Sequence, residues 1–447
     1  MQPRVAVVGS GPAGVYAAEA LIRYAGEVSV DVLDALPAPF GLVRYAVAPD
    51  HPRTQSISES LATVLDHPGV RFLGNVRVGA DISIDELLEH YDAVVIAVGA
   101  ATDRRMGIPG EDLPGSVSAT DLVAWYCGNP DVDPGRFVLD ASSVAVVGAG
   151  NVAGDIARML ARSAGELAAT DAPDHILAAF AASSVRDIHL IARRGPAQSR
   201  FTTRELRELG DLELADLLVD PADLELDAHS AEVVSSSSAA RRNVEVLRGW
   251  VGQAETRLDR RIHLRFFQRP VEVLGTDRVE AIRLERTRLD VDGEVHGTGD
   301  IVDLPVQMVV RAVGYRSLPL DGLPFDEGSG VVPHLNGRVH RDGVVMPGLY
   351  VAGWAKRGPT GVIGTNKHDA RETVRSLMDD LPALPRAAAD SPDAVVQLLE
   401  SRGVDVVSWA GWRAIDLAEV EAGRRQGRPR AKISDRAALL RIAAGEG

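Results

Sequence analysis

Two stretches of the chain repeat the same succession of apolar, glycine-rich and helical segments. In the first, an apolar run at Arg4–Val8 leads into a glycine-rich turn, an alanine-rich helical pattern and a second apolar run at 28–33. In the second, an apolar run at Ser143–Val147 is followed by another such turn, a helical pattern over 155–164 and an apolar run at 187–192. Each stretch predicts strand, tight turn, helix and strand, which is how a doubly wound α/β domain begins.

Other segments extend this pattern. Apolar runs at 93–98, 309–313 and 348–351 lie beside or shortly before glycines and predict further strands of the two sheets. The alternation of apolar and polar residues over 244–286 predicts an antiparallel β region. The predicted fold class is therefore α/β, with two dinucleotide-binding, Rossmann-like three-layer domains.

The first turn carries a Gly-x-Gly-x-x-Gly motif formed by Gly9, Gly11 and Gly14, with Pro12 and Ala13 inside it. These glycines allow a tight turn, close approach of the backbone to a pyrophosphate, and packing of helix on strand. The helix N-terminus adds partial positive charge toward the phosphates. Asp34 ends the next strand, where a carboxylate accepts from both ribose hydroxyls and repels a 2′-phosphate, so the motif favours FAD or NAD over NADP. A glycine turn that binds no ligand is the structural alternative.

The second turn is a Gly-x-Gly-x-x-Ala variant formed by Gly148, Gly150 and Ala153. Its second strand ends in Arg193 and Arg194 rather than in an acid. Two guanidiniums at that place make charge-assisted bonds to a 2′-phosphate, which favours NADP(H) over NAD(H). An exposed basic pair at a strand end is the alternative.

Two dinucleotide sites on one chain imply a bound flavin and an exchanging nicotinamide, with hydride transfer carried by the cofactors. A turn-rich segment that includes Trp354 predicts a helix starting near Gly361, whose positive end would face the electron-rich edge of a reduced flavin. Trp354 is interpreted either as a cover for a ring face or as a core residue.

Composition narrows the classes of function. Of 447 residues, 45% are hydrophobic, and 48 basic against 63 acidic residues give a net charge of −15, which argues against a nucleic-acid or polybasic membrane-surface protein. The single cysteine, Cys127, excludes a CxxC redox pair and a cysteine-bound iron–sulfur cluster in this chain. No apolar run is long enough to span a bilayer, no signal peptide is apparent, and no histidine cluster has metal-ligand spacing. We therefore expect a cytoplasmic protein without a metal.

Four motifs resemble the adrenodoxin reductase family and its bacterial ferredoxin–NADP reductase relatives. They occur in family order, and the resemblance covers nearly the whole chain. The motifs are FGLVRYAVAPDHP at 40–52, ARRGP at 192–196, FTTRELREL at 201–209 and WAKRGPTGVIGTN at 354–366.

The resemblance implies an FAD-binding domain made of 1–103 and 318–447, the second part with a C-terminal helical tail, and an NADP-binding domain, 104–317, inserted between them. Two sets of site residues follow from the family's motifs. The FAD set is Gly9, Ala13, Asp34, Leu42, Val78, Trp354, Gly361, Val362 and Ile363; the NADPH set is Arg104, Asn151, Val152, Arg193, Arg194 and Glu205.

The activity implied is reduction of a ferredoxin-type iron–sulfur protein by NADPH through FAD. His51 and Asp155 match a family pair near the flavin, with a role in proton or electron movement; a hydrogen-bonded structural histidine is the alternative. The other functions considered are a flavin monooxygenase, an electron-input subunit and a non-catalytic FAD/NADP redox sensor. Thioredoxin-reductase activity is disfavoured because the CxxC pair is missing.

Ferredoxins are generally acidic, so docking one on a chain of charge −15 requires a local basic face. The candidates for that face are Arg241, Arg242, Arg248 and Arg269, with a solvated surface as the alternative. Flavin and pyridine-nucleotide sites on one chain leave little need for a dimer interface, which favours a monomer.

Overall fold

The computed structural model describes residues 2–25, 28–252, 258–389 and 391–446. It contains two compact units. Unit 1 comprises Met1–Thr102, Cys127–Asp133 and Tyr315–Gly447, and unit 2 comprises Asp103–Tyr126 and Pro134–Gly314. The chain therefore passes from unit 1 into unit 2 twice, because Cys127–Asp133 returns to unit 1 between the two segments of unit 2.

The helices and strands follow one another along the whole chain. The strands are β1 Arg4–Val8, β2 Ser29–Leu33, β3 Val70–Leu73, β4 Ala93–Ile96, β5 Thr102–Asp103, β6 Ser116–Ser118, β7 Ser143–Val147, β8 Asp187–Ile191, β9 Ala215–Val219, β10 Arg260–Arg265, β11 Gln268–Leu274, β12 Ala281–Leu289, β13 Val295–Pro305, β14 Met308–Arg311, β15 Tyr315–Arg316, β16 His334–Leu335, β17 Arg338–Arg341 and β18 Val344–Val351. The α-helices are α1 Pro12–Ala25, α2 Leu42–Tyr45, α3 Pro52–Gln55, α4 Ile57–Leu65, α5 Ile84–His90, α6 Ala119–Tyr126, α7 Asn151–Ala161, α8 Ala164–Leu167, α9 Asp174–Ala181, α10 Thr203–Gly210, α11 Ala228–Ser236, α12 Ser238–Arg248, α13 Trp354–Arg357, α14 Thr365–Asp380, α15 Ala394–Ser401, α16 Trp409–Arg425 and α17 Arg436–Ala443. Short 3₁₀ turns occur at Pro196–Gln198, Pro221–Leu224 and Leu381–Ala383.

Unit 1 is built on a seven-stranded sheet of order β16-β17-β18-β4-β1-β2-β3. The strands from β18 to β3 are parallel, and β16 and β17 are added antiparallel at one edge. Successive side chains of β1 pack on opposite faces of the sheet: Val5 and Val7 belong to one buried cluster, and Ala6 and Val8 belong to the other. A strand buried on both faces is uniformly apolar, which explains the run that marks β1 in the sequence.

Unit 2 is built on a six-stranded parallel sheet of order β6-β14-β7-β8-β10-β9. A three-stranded antiparallel sheet, β11-β12-β13, packs on one of its faces through residues such as Ile282 and Leu284, against Ala145 and Val147 of β7. β1 in unit 1 and β7 in unit 2 each lie inside their own sheet, with a neighbouring strand on either side. In α/β sheets, nucleotides bind at the carboxyl ends of such strands. The predicted fold class is confirmed.

Two predicted elements differ from those observed. The antiparallel β region predicted over 244–286 is wrong in its first half, because α12 continues to Arg248 and β10 pairs in parallel with β8 and β9. Its buried residues Ala240, Asn243, Val244 and Leu247 follow helical spacing, and the alternation that suggested β structure comes from the strands after residue 260. Residues 253–257 of that prediction lie outside the described part of the chain. The helix predicted to start near Gly361 begins at Thr365.

Among the described residues, no helix is both long and apolar enough to cross a membrane.

Two histidines stack inside the parallel sheet of unit 2. His189 on β8 and His263 on β10 are opposite each other in the register, with ring centroids 4.4 Å apart. Arg265 Nε donates to His189 Nδ1 at 3.2 Å, and the Asp187 carboxylate lies within hydrogen-bond distance of His263 and pairs with Arg261. Burial, together with the neighbouring positive charges, lowers the pKa of His189 to about 3.

We expect acid to destabilise unit 2 through His189. An unfolded histidine takes up a proton near pH 6.5 whereas native His189 resists protonation down to about pH 3, so the unfolded state binds more protons between these values. On this account alone the free energy of unfolding falls by on the order of 2 kcal/mol between about pH 6.5 and about pH 4.5.

Urea titrations across that range measure the effect. His189→Gln removes this part of the pH slope, whereas His296→Gln, at an exposed histidine of the same unit, retains it. Equal slopes in all three proteins would contradict the assignment.

Candidate dinucleotide-binding sites

The first glycine turn connects β1 to α1 in unit 1. Gly9 has φ +110°, and its N–H donates to the Leu33 carbonyl at 2.7 Å. A Cβ added to Gly9 would lie 2.5 Å from Ala97 O, and one added to Gly14 would lie 1.8 Å from Gly9 O, so both positions require glycine. A Cβ added to Gly11 meets no atom of the described residues within 4 Å. The turn therefore leaves room at Gly11 for a bulky group to approach the backbone, which fits a pyrophosphate.

Asp34 closes this turn from the end of β2. Its carboxylate accepts from the Ser10 N–H at 2.8 Å, from the Ser10 hydroxyl at 2.5 Å and from the Leu36 N–H at 2.9 Å. Burial raises the pKa of Asp34, and these hydrogen bonds oppose the rise. A carboxylate offers about four acceptor positions, so this one has limited capacity left for a ribose. Because an aspartate side chain is one methylene shorter than a glutamate side chain, the Asp34 carboxylate stays close to the turn.

The predicted residues near the C-terminus also reach this turn. Ala13 begins α1 with Pro12, and a Cβ added to Gly353 would lie 2.5 Å from the Ala13 Cβ, so the Gly353 backbone packs directly on the start of α1. Trp354 follows in α13, partly buried, with its ring centroid 5.3 Å from that of Tyr315. Trp354 is therefore placed beside the first glycine motif by its own backbone.

Gly361, Val362 and Ile363 form a turn rather than the first turn of a helix. Gly361 has φ +83°, which a right-handed helix does not accommodate, and the Val362 N–H donates to the Thr365 hydroxyl at 3.2 Å. Val362 is 67% exposed, whereas Ile363 packs on the core. The exposed backbone of this turn immediately precedes α14.

Three other predicted residues of unit 1 lie on separate segments. Leu42 begins α2 and is partly buried. Val78 follows β3 and forms an isolated bridge with Ile82. His51 is the N-cap of α3, 9% exposed, and its carbonyl accepts from the Thr54 N–H at 3.0 Å.

The second glycine turn connects β7 to α7 in unit 2. A Cβ added to Gly148 would lie 2.5 Å from Ala312 O, whereas one added to Gly150 meets only the Arg200 Cβ, at 4.0 Å. Asn151 begins α7, and its side-chain carbonyl accepts from the Thr202 N–H at 2.8 Å. Gly150 is thus the open position of this turn, as Gly11 is of the first.

Arg193 and Arg194 follow β8 at the edge of the sheet where the second turn lies. The Thr287 hydroxyl donates to the Arg193 carbonyl at 2.8 Å, and the Phe267 N–H donates to the Arg194 carbonyl at 3.2 Å, so the hairpin behind them fixes their backbone. Arg193 is exposed and Arg194 half-buried, and neither has an ion-pair partner within the described segments. The Arg194 Nε is buried without a hydrogen-bond partner there. Two uncommitted guanidiniums fit a 2′-phosphate.

The remaining predicted residues of unit 2 are distributed around the same turn. Val152 and Asp155 lie on the first turns of α7, and Asp155 accepts from Arg158 at 2.7 Å. Glu205 lies in the first turn of α10, where its N–H donates to the Thr202 hydroxyl at 3.3 Å. Arg104 is exposed, and its N–H donates to the Gly314 carbonyl at 2.8 Å.

Sequence reasoning missed two contributors to the first site. Ser10 donates twice to Asp34, and its place inside the glycine motif was a usable signal. Phe40 lies in the segment 40–52, which is notable in the sequence only for its similarity to the family's motif. Its N–H donates to the Ser10 carbonyl at 3.1 Å. Its contact depends on the fold and not on local pattern.

Two nucleotide-type turns, one closed by a carboxylate and one flanked by arginines, define a two-dinucleotide oxidoreductase. Residues 3–208 match the model of the pyridine nucleotide-disulphide oxidoreductase family. The chain is 43% identical to NADPH-ferredoxin reductase FprA of Mycobacterium tuberculosis, over 99% of each chain, and 41% identical to the mitochondrial NADPH:adrenodoxin oxidoreductase of Arabidopsis thaliana, over 98% of this chain and 95% of that one. The structure of M. tuberculosis FprA in complex with NADPH superposes with a TM-score of 0.95 at 43% identity, over 100% of both chains.

The chain belongs to the family of adrenodoxin reductase-like ferredoxin–NADP reductases, and the resemblance seen in its motifs is confirmed.

Proposed function

We propose that this protein is an NADPH-dependent flavoprotein reductase that passes electrons from NADPH through FAD to a ferredoxin-type iron–sulfur protein. The observation that carries the proposal is the pair of unlike turns, open at Gly11 and Gly150 and followed by Asp34 and by Arg193-Arg194. Relatives that align over nearly the whole chain are named as NADPH-ferredoxin and NADPH:adrenodoxin reductases, which supports it.

The bound FAD supplies the conversion between electron pairs, which nicotinamide delivers, and single electrons, which iron–sulfur clusters accept. In unit 1 the backbone at Gly9 and Gly11 and the start of α1 bind the pyrophosphate, while Asp34 orders the turn through Ser10. Leu42, Val78, Trp354 and the turn Gly361–Val362–Ile363 complete the proposed FAD site.

In unit 2 the backbone at Gly150 and the start of α7, with Asn151 and Val152, bind the NADP pyrophosphate, and Arg193 and Arg194 hold the 2′-phosphate. Arg104 and Glu205 complete the proposed NADP site.

His51 and Asp155 are the proposed catalytic residues, with a role in moving a proton or stabilising charge. His51 occupies the N-cap position of α3, and the Asp155 carboxylate accepts a hydrogen bond from the fully buried Arg158. Imidazole and carboxylate groups are the side chains that most often transfer protons in enzymes.

Stopped-flow spectroscopy tests the function directly. The purified holoprotein is reduced with NADPH and then mixed with ferredoxin, with oxygen, or with neither. Rapid reoxidation that depends on ferredoxin is expected. Rapid reoxidation by oxygen with hydroxylation of a substrate would identify a monooxygenase, and slow turnover with every acceptor would identify a redox sensor; either result overturns the proposal.

The proposed ferredoxin-docking surface is the exposed side of α12. Arg241, Arg242 and Arg248 are exposed there, and none of the three has an ion-pair partner among the residues that the structure describes. Arg269 differs, because Glu285 pairs with its guanidinium at 2.5 Å and neutralises it. The cationic part of the surface is therefore the helix.

Charge reversal tests this surface. Arg241→Glu with Arg242→Glu is expected to raise the KM for ferredoxin by about tenfold or more, because like charges then meet across the interface. NADPH-to-ferricyanide activity stays unchanged. The matched control reverses Arg424 and Arg425, an adjacent exposed pair at the end of α16 in unit 1, and leaves the ferredoxin KM unchanged. Ferredoxin kinetics that respond equally to both pairs would rule α12 out as the docking surface.

The proposal includes a cytoplasmic location and a monomeric state. The one cysteine in the sequence, Cys127, is a buried thiol, which suits a reducing compartment, where NADPH is also supplied. Sedimentation of the holoprotein measures the oligomeric state, and a stable dimer would contradict a monomer.

A further inference from the structure

The segment 40–45 lies directly against the first glycine turn. The Phe40 N–H donates to the Ser10 carbonyl at 3.1 Å, and a Cβ added to Gly41 would lie 3.1 Å from the Gly11 Cα. Phe40 has φ +81° and Gly41 φ +49°, so the chain passes through two successive left-handed residues, one of them aromatic. A non-glycine residue in that region is strained and persists only where its surroundings hold it.

A cluster of charged side chains joins this segment to the C-terminal tail. The tail cluster consists of Arg44 from the segment and of Glu419, Arg430 and Lys432 from the tail. The Glu419 carboxylate, 0% exposed, accepts from Arg44 Nη2 at 2.5 Å and from Arg430 Nη1 at 2.8 Å. The Lys432 ammonium, also buried, donates to the Arg44 carbonyl at 2.9 Å. Both the side chain and the backbone of Arg44 are therefore fixed by the tail.

Trp412 adds an aromatic contact from the same tail. Its ring lies edge-on to Phe40 with centroids 5.8 Å apart, and the Arg44 guanidinium lies 5.0 Å from its centroid. The tail thus contacts the strained Phe40 and the arginine that follows it. Edge-on aromatic pairs and cation–π contacts of this kind are both stabilising.

The electrostatics of the tail cluster make Glu419 its central member. Burial alone would raise the pKa of Glu419, but the guanidiniums of Arg44 and Arg430 outweigh burial and hold that pKa below its ordinary value. The carboxylate is thus ionised and bridges the buried Arg44 and the partly buried Arg430. Its removal leaves Arg44 buried without a counter-ion, and relief of that penalty requires Arg44 to move.

We infer that Glu419 is a positioning residue for the flavin: through Arg44 it holds residues 40–42 against the glycine turn and thereby sets how tightly FAD is retained. The inference rests on the proposed function, which places FAD at this turn. The C-terminal tail is then a part of the cofactor site and not only an appendage to the fold.

The rate of FAD release from the full-length holoprotein tests the inference. Release is followed by the rise in flavin fluorescence on dilution. Glu419→Gln is expected to accelerate release by at least about tenfold, because the buried pair with Arg44 is broken. The matched control is Asp380→Asn, which removes an unrelated carboxylate of unit 1 that binds Arg338 at 2.6 Å and Tyr350 at 2.9 Å at the end of α14. At a temperature where both variants are folded, the control releases FAD at the wild-type rate.

A second variant and a second readout keep the test decisive. Lys432→Met leaves the Glu419 ion pairs in place and removes the bond to the Arg44 carbonyl, so release rises less, by about threefold. Cleavage by trypsin after Arg44 in the FAD-depleted protein is expected to increase in Glu419→Gln and not in Asp380→Asn. Wild-type release rates in both tail variants overturn the inference, and if Glu419→Gln does not fold, Lys432→Met decides it. A wild-type protein that binds no FAD overturns the proposed function instead.

Discussion

Gly11→Val is expected to yield a folded protein that carries no FAD. A Cβ at Gly11 meets no atom within 4 Å in the part of the chain that the structure describes, so the fold accepts the new side chain, but the branched methyls occupy the space proposed for the pyrophosphate. Overpacking of this kind costs about 3 kcal/mol, which corresponds to a loss of about a hundredfold in FAD affinity. The measurement is the flavin content of the purified protein, with its circular dichroism melt as the check on folding.

Gly150→Val is the matched variant, because Gly150 occupies the same place in the second turn and its only neighbour is the Arg200 Cβ at 4.0 Å. This variant is expected to remain yellow and to resist reduction by NADPH, while dithionite still reduces it. Gly9 and Gly14 would not serve, since a Cβ there collides with backbone oxygen at 2.5 Å and 1.8 Å and damages the turn itself. A Gly11→Val protein with full flavin content would show that FAD does not bind at the first turn.

These predictions were accessible from sequence because the features that carry them are local. Each glycine turn lies between a buried strand and a helix within about thirty residues, and each strand is apolar on both faces, so spacing alone identified them. The open positions at Gly11 and Gly150 could be inferred for the same reason.

The local sequence pattern gave a wrong secondary structure where helical spacing and strand alternation fit the same residues. Residues 244–248 belong to α12, whose buried side chains follow helical spacing from Ala240 onward, but the polar residues between them resemble strand alternation. At Gly361 the glycine itself supplied the start signal, although its φ of +83° excludes it from the helix, which begins at Thr365.

Contacts between residues far apart in the chain could not be predicted from the sequence. Arg44 and Glu419 are 375 positions apart, and a buried pair at that separation leaves no spacing signal in a single sequence. The same holds for Cys127, which lies between two segments of unit 2 and yet belongs to unit 1, where its thiol donates to the Val47 carbonyl at 3.4 Å. Such contacts depend on the completed fold.

Replacement of Arg193 and Arg194 by alanine is expected to weaken NADPH binding by a few hundredfold and NADH binding little. Each guanidinium supplies a charge-assisted hydrogen bond worth about 1.5–3 kcal/mol to a 2′-phosphate that NADH lacks. The backbone carbonyls of both residues are held by Thr287 and Phe267 and do not depend on the side chains, so the turn is retained in the variant. The KM values for the two nucleotides, measured with ferricyanide as acceptor, give the ratio.

The single variants separate charge from geometry. Arg194→Lys keeps the positive charge but loses the planar fork, so it is expected to recover only part of the NADPH preference that Arg194→Ala loses. The unpartnered, buried Nε of Arg194 is the reason to expect geometry to matter more there than at the exposed Arg193. Equal losses for NADPH and NADH in the double variant would mean that these arginines support the sheet edge without touching the 2′-phosphate, and the basis of the nucleotide preference would then lie elsewhere in unit 2.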